Sequence, residues 1–425
     1  MKKIVSLIMS IVMVIGIFCM PTSVNAKNSA INQEKLYVYS FNKELKAYVE
    51  FFREKYPEYE DLIVFKDSNC GSGDDEYLNL VKSSSKNKNG TAGVYAIEEA
   101  NVKEIFESSS FYNLEDIGFT NDDFSKAYGY TKQVASINGK IKGATWQCCV
   151  GGFVYNRKIA RKVFATDDPV KIQKLVKNWN TFNKTAEKLN KKGYYILSGL
   201  DDVGRALADN YSSATYKNNK PLINKEIKQY VNEMIILKNK NYTKNTIQFT
   251  DEWFENMNSA DSDVFGFFGP SWFLGFTMND VRVEQLNGGF NLCEGPADFN
   301  WGGTYLGVSK NCLNPGLAEL FIKTICIDKD SMYELAISQQ SFPNNTDVVK
   351  KLRKTKKLIY NKIKVQNAFT IFDSRARKLN KKYATKYDEK ILKSLNDTIN
   401  EYITSGKKIK YDDFIDEYKK KFNNL

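Results

Sequence analysis

From Leu36 the chain alternates between short apolar runs and amphipathic stretches. Leu36 to Phe41 (LYVYSF) reads as a strand. In Lys43 to Tyr56 the residues Leu45, Tyr48, Val49, Phe52 and Tyr56 fall on one helical face, and Pro57 stops the run. Leu62 to Phe65 and Val94 to Ile97 predict two further strands. Asp74 to Ser84 and Ala100 to Ser108 predict the helices that follow them. Such alternation predicts a mostly parallel sheet covered on both faces.

From Phe111 to Gly143 the rhythm is lost. It resumes with a strand at Phe153 to Tyr155, helices at Arg157 to Phe164, Val170 to Lys177 and Phe182 to Lys192, and a strand at Tyr195 to Ser198. Glu226 to Asn239 carries Ile227, Tyr230, Val231, Met234 and Leu237 at helical spacing. Val264 to Phe268 and Thr304 to Val308 read as strands, Gly269-Pro270-Ser271-Trp272 as a helix opening, and Pro315 to Ile327 as a helix. From Val348 onward the pattern is helical. Trp179 stands at a helix start three residues before Phe182 and reads as a hydrophobic staple; Trp253 reads as a helix-packing residue.

The first residues have an exported leader's plan. Lys2 and Lys3 precede an uncharged run, Ile4 to Met20, and Val24-Asn25-Ala26 offers the small residues that a signal peptidase reads. The run is short for a span of roughly 20 residues. Cleavage after Ala26 leaves 399 of the 425 residues, more than one core comfortably holds, so two lobes are expected. The formal charge is +12. Its one concentrated stretch, Lys350 to Lys364, reads as a solvated helix face, or as a site of attraction to anionic wall polymers. Nucleic acid is not an expected partner of an exported chain.

There is no histidine. Ser-His and Cys-His nucleophiles are therefore excluded, and a zinc site would need Cys and carboxylates alone; no metal, cofactor or catalytic residue is expected. No G-x-x-x-x-G-K-[ST] phosphate loop is present. Export permits disulfides among Cys70, Cys148, Cys149, Cys293, Cys312 and Cys326, whose pairing spacing does not give.

One block orders these elements distinctively. Gly-bounded aromatic residues lead to Tyr155-Asn156-Arg157, then an amphipathic helix, then Trp179-Asn180-Thr181-Phe182 and a second helix ending at Gly193. This block resembles the centre of the extracellular solute-binding proteins (family 1, carbohydrate type) of bacterial ABC importers. LYVYSFNKEL, GVYAIEEANV, VFGFFGPSWF, NWGGTYLGVSKN and SFPNNTDV extend the resemblance over nearly the whole mature chain. It implies an α/β, two-lobe, periplasmic-binding-protein-like fold (class II, Venus-flytrap) with a helical C-terminal region. Residues 27–143 plus 302–345 would form the N-terminal lobe, and 144–301 plus 346–425 the C-terminal lobe.

It also implies a monomeric binder, not an enzyme: a carbohydrate ligand is held in the interlobe cleft and delivered to a transmembrane permease. A secreted carbohydrate-active hydrolase and a ligand-binding partner of a membrane sensor are the alternatives. Such proteins are extracellular, often lipid-anchored through a cysteine near the leader; Phe18 before Cys19, where a small residue is expected, argues against an anchor there.

A sugar offers flat C–H faces and a rim of hydroxyls, so aromatic rings and polar side chains in a cleft are the expected contacts. Trp272, after Gly269-Pro270, takes the stacking position that the family's G-x-W motif implies. Trp301, before two glycines, and Trp146, at the lobe crossing, are the other candidate rings. Glu44, Glu98 and Glu99 follow strand ends, where open α/β sheets bind ligands. Asp201, Asp202 and Arg205 follow the strand ending at Ser198, with a helix cap as the competing role for one of the acids.

Expression in a secreting bacterial host should yield a mature chain beginning at Lys27, read by intact mass and N-terminal sequencing. A full-length chain retained in the membrane fraction would refute the cleavage.

Overall fold

The computed structural model describes residues 30–70, 75–259, 261–278, 288–355, 360, 363 and 367–424. The leader, Cys19 and part of the basic run lie outside them. The alternating first third builds a five-stranded sheet in the order Ile63–Asp67, Leu36–Ser40, Val94–Glu98, Thr304–Val308, Gly143–Ala144. The first three strands are parallel, because a helix returns the chain between them. Thr304–Val308 runs antiparallel to both its neighbours. The expectation of a mostly parallel sheet therefore fails at that edge: this strand comes back from the other half of the molecule and inserts in the opposite sense. The Glu44–Lys55 helix buries Leu45, Tyr48, Val49 and Phe52 on the sheet side, the stripe its periodicity predicts.

A second sheet has the order Phe290–Cys293, Gly151–Asn156, Val264–Pro270, Tyr195–Leu197. Every residue of its two central strands is buried, so both faces are covered. One face packs on the helices Trp179–Asn190, Lys225–Asn239, Asp388–Ser405 and Tyr411–Asn424. The other packs on Trp253, Phe273 and the Ala368–Ala376 helix. Helices start where the sequence places them because short polar side chains cap them. Asn156 ends the Gly151–Asn156 strand and accepts from Lys158 N and Ile159 N at 2.9 and 3.2 Å. Asn178 makes a capping box with Thr181. That makes Trp179 the first helical residue, not the residue before the cap, so it is no staple; its ring packs 5.3 Å from Phe182 within the core.

The two sheets are joined by strands of chain that lie side by side. Cys148 N donates to Phe342 O (2.8 Å), Trp301 N to Cys149 O (2.8 Å), and Asn344 N to Trp146 O (2.9 Å). Asn344, buried, adds its side chain: Oδ1 accepts from Tyr128 N at 3.0 Å and Nδ2 donates to Thr145 O at 3.2 Å. The result is a two-lobe α/β molecule with a hydrogen-bonded hinge. All six described cysteines are free thiols, five of them buried.

Asn156→Ala should cost about 1–2 kcal/mol of stability in urea unfolding, the usual loss for a cap. A change within about 0.5 kcal/mol, as for an ordinary surface substitution, would refute the cap's importance.

Candidate functional site

Strand Val94–Glu98 passes directly into the helix Glu99–Glu107. Glu98 caps that helix: its Oε2 accepts from Ala100 N at 2.7 Å. The other carboxylate oxygen faces Gly302. A Cβ added at Gly302 would lie 3.3 Å from Glu98 Oε1 and 3.7 Å from Trp272 Nε1. Gly302 and Gly303 also have φ of +75° and +129°, a region that side chains disfavour. Glycine here lets the crossing backbone pass between a carboxylate of the first lobe and an indole of the second.

The second lobe supplies the aromatic wall. Trp272 follows the strand Val264–Pro270 and donates from Nε1 to Trp301 O at 2.8 Å. The two indole rings meet edge to face, 5.1 Å apart. Phe249 extends the wall 5.8 Å from Trp301 and remains 50% exposed. Asp201 and Asp202 stand behind this wall. Asp202 Oδ1 accepts from Trp253 Nε1 (2.8 Å) and Gln248 Nε2 (3.0 Å), and Asp201 Oδ2 accepts from Gln248 N (2.8 Å). Both were candidates for ligand contact; these bonds commit Asp202 and one oxygen of Asp201 to the loop that carries Phe249, while Asp201 Oδ1, buried, has no partner among the described residues. Trp146 is likewise corrected. It is 3% exposed in the first-lobe core, its ring tilted against Tyr48 at 4.8 Å, so its indole is closed to a ligand here.

The remaining acids stand between the lobes. Glu44 begins its helix at the sheet's carboxyl edge. Its side chain touches water, yet surrounding protein pushes its carboxyl up to about 7, against the opposing pull of a Gln147 hydrogen bond. Glu98 is pushed up to about 8, by desolvation first and then by the Glu389 charge, with Arg205 pulling it back. Glu99 is also raised by burial, although Lys381 opposes this. Lys381 Nζ lies 2.6 Å from Asp209 Oδ1 and 3.5 Å from Glu99 Oε1, and Asn300 Nδ2 donates to Glu99 Oε2 at 2.6 Å. Arg205 pairs with both oxygens of Glu389 at 3.1 Å. Glu98, Glu99, Arg205, Asp209, Tyr211 and Lys381 line a space of about 50 Å³ between the lobes. That is one or two waters' worth, against the roughly 300 Å³ or more of a small-molecule site.

The sequence reading missed Lys381, Asp209, Tyr211, Glu389 and Phe249. Lys381 sits in a basic run with no distinguishing spacing, and its partner Asp209 is 172 residues away. Asn300, next to Trp301 and the two glycines, had a positional signal. Among the described residues no group of three or more Cys, Asp or Glu side chains is arranged to hold a metal ion.

A family model described as bacterial extracellular solute-binding protein matches residues 69–359. No curated protein sequence matches the chain. Among solved structures, one described as an extracellular solute-binding protein of family 1 aligns over 92% of this chain and 99% of its own, with a TM-score of 0.80 and 16% identity. An ABC-transporter-associated binding protein from B. animalis subsp. lactis Bl-04, in complex with β-1,6-galactobiose, aligns over 92% and 96% with a TM-score of 0.69 and 15% identity. The galacto-N-biose/lacto-N-biose I-binding protein of Bifidobacterium longum, in complex with lacto-N-biose, aligns over 93% and 98% with a TM-score of 0.69 and 13% identity. These likenesses give the fold.

The folded chain keeps on Glu98 a proton that the unfolded chain releases near the ordinary carboxylate value of 4.5. Its contribution to stability is therefore complete below about pH 4.5 and is lost as pH rises through about 8. The melting temperature should fall across that window, and the fall should be shallower in Glu98→Gln. Equal slopes in both proteins would refute the burial of this carboxyl.

Proposed function

The chain belongs to the bacterial extracellular solute-binding proteins, and from that premise we propose that it is the carbohydrate-binding subunit of an ABC importer. The observation that carries the reading is the crossing at Gly302, where Glu98 of one lobe and Trp272 of the other approach the same backbone. A sugar ring entering there lies its C–H face on the indoles of Trp272 and Trp301, and its hydroxyls donate to Glu98 and Glu44. Arg205 and Lys381 hold the surrounding acids in place. The moving units are residues 27–143 plus 302–345 and residues 144–301 plus 346–425, turning on the hydrogen-bonded hinge.

In the mechanism that follows, the lobes part far enough to admit a sugar, since the present gap holds one or two waters. Contacts from both lobes then favour the closed arrangement and shift the population toward it. A closed monomer docks on a transmembrane permease and gives up the sugar chemically unchanged. The protein works outside the cell after removal of its leader and takes no part in catalysis.

A thermal-shift panel of mono- and oligosaccharides tests this. The bound sugar at a hundred times its dissociation constant stabilises by about 2.7 kcal/mol. For a chain of this length that is a rise of about 3 °C, and Trp272→Ala should abolish it while remaining folded. No rise with any sugar sinks the carbohydrate reading; an unchanged rise in Trp272→Ala removes that indole from the site.

A further inference from the structure

The chain is basic overall, with a formal charge of +12, yet the space between its lobes is acidic. Five carboxylates line it (Glu98, Glu99, Asp209, Asp388 and Glu389) against three cations, Lys103, Arg205 and Lys381. Two of the cations are committed: Arg205 to Glu389 in a two-bond pair, and Lys381 to Asp209 and Glu99. Lys103 donates to the carbonyls of Gln133 and Ser136, both outside the lining. Among the described residues Glu98 makes no ion pair, and its one hydrogen bond, from Ala100 N, occupies Oε2.

An independent feature points the same way. Tyr211 lines the chamber, is 4% exposed, and its hydroxyl has no hydrogen-bond partner. A buried hydroxyl left unmatched is costly, so a donor brought against it is favoured. The chamber thus offers oxygen acceptors in excess of its donors, in a volume of about 50 Å³ that suits a group the size of water. Gly302 lines it too, and the same glycine abuts Trp272, so the chamber adjoins the aromatic wall.

Resting on the carbohydrate reading above, we propose that the ligand is an amino sugar with a free, protonated amine. Its ring lies on Trp272 and Trp301, and its ammonium group enters the chamber to donate to Glu98 Oε1 and the Tyr211 hydroxyl. The ammonium has three donors and no acceptor, the complement of what the chamber lacks.

The binding of a cation lowers the pKa of a neighbouring carboxyl. Burial holds Glu98 at about 8 beforehand, with Glu389 and Glu99 raising it and Arg205 lowering it. Amine binding at pH 7 should therefore release a proton from Glu98, and neutral sugar binding should not.

The experiment is calorimetric titration of the mature chain at pH 7 in two buffers of different ionisation enthalpy. The probes are glucosamine, galactosamine, mannosamine and the fully deacetylated glucosamine disaccharide, each paired with its neutral hydroxyl counterpart. At least one amine should bind ten-fold or more tighter than its counterpart and release protons. That gap should close in Glu98→Gln and narrow in Tyr211→Phe, a milder change that keeps the inference testable if the first variant misfolds. Amines that bind no tighter than their neutral counterparts overturn the inference while leaving carbohydrate binding intact, as does a gap that survives in the variants. If no sugar of either kind binds the wild-type chain, the carbohydrate reading itself falls.

Discussion

Three passages of chain cross between the lobes, and they cross as hydrogen-bonded neighbours. Cys148 N reaches Phe342 O, Trp301 N reaches Cys149 O, and Asn344 N reaches Trp146 O. Most of these residues are buried, and a buried backbone group needs a partner. Pairing the crossings with one another meets that need outside the two sheets. The same pairing fixes the location of the aromatic wall. Trp301 and Gly302 are carried on one of these crossings, so the glycine arrives between Glu98 and Trp272 as a consequence of how the hinge is bonded. Asn344 secures the register from the side: its side chain bonds Thr145 on the ribbon and Tyr128 at the start of the helix Gly129–Ala135, while its own backbone pairs with Trp146.

The hinge also decides which candidate residues face the gap. Trp146 and Gln147 are successive residues at the crossing and meet different residues of the helix Glu44–Lys55. Trp146 goes into the first core against Tyr48, while Gln147 hydrogen-bonds the Glu44 carboxyl. Local sequence placed Trp146 at the crossing correctly, but the side of the ribbon it faces is set by Tyr48, which belongs to a distant helix. Asp201 and Asp202 follow the same logic. Their position after a strand suggested ligand hydroxyls or a cap; their partners are Gln248 and Trp253, 46 to 51 residues on for Asp202. Periodicity was legible because it is local: the Leu45–Phe52 stripe and the strand Thr304–Val308 lie within a few residues of their signals. The sense of Thr304–Val308 in its sheet was not legible, because it depends on the direction from which the chain returns. Lys381 was invisible for a stronger reason. Nothing about a lysine in a basic run shows that it will be buried between two carboxylates supplied by other segments.

That lysine bears on how the lobes hold together. Lys381 is drawn into the gap with its side chain 8% exposed, Asp209 on its own lobe at 2.6 Å and Glu99 on the other at 3.5 Å. Removing three charged groups from water costs several kcal/mol per ion, and their mutual attraction returns about that amount. The clasp is therefore near neutral in free energy, and its effect is geometric: it sets the distance at which the lobes meet without itself holding them shut. A clasp near balance has a functional consequence. If it closed the lobes strongly, the open form that admits a sugar would be scarce, and affinity would fall by the fraction of chains able to bind. If it opposed closure strongly, the ligand would spend its contact energy on the clasp. Near balance, the contacts that a ligand makes with both lobes are left to decide the population, and differences between ligands pass directly into how much of the protein is closed.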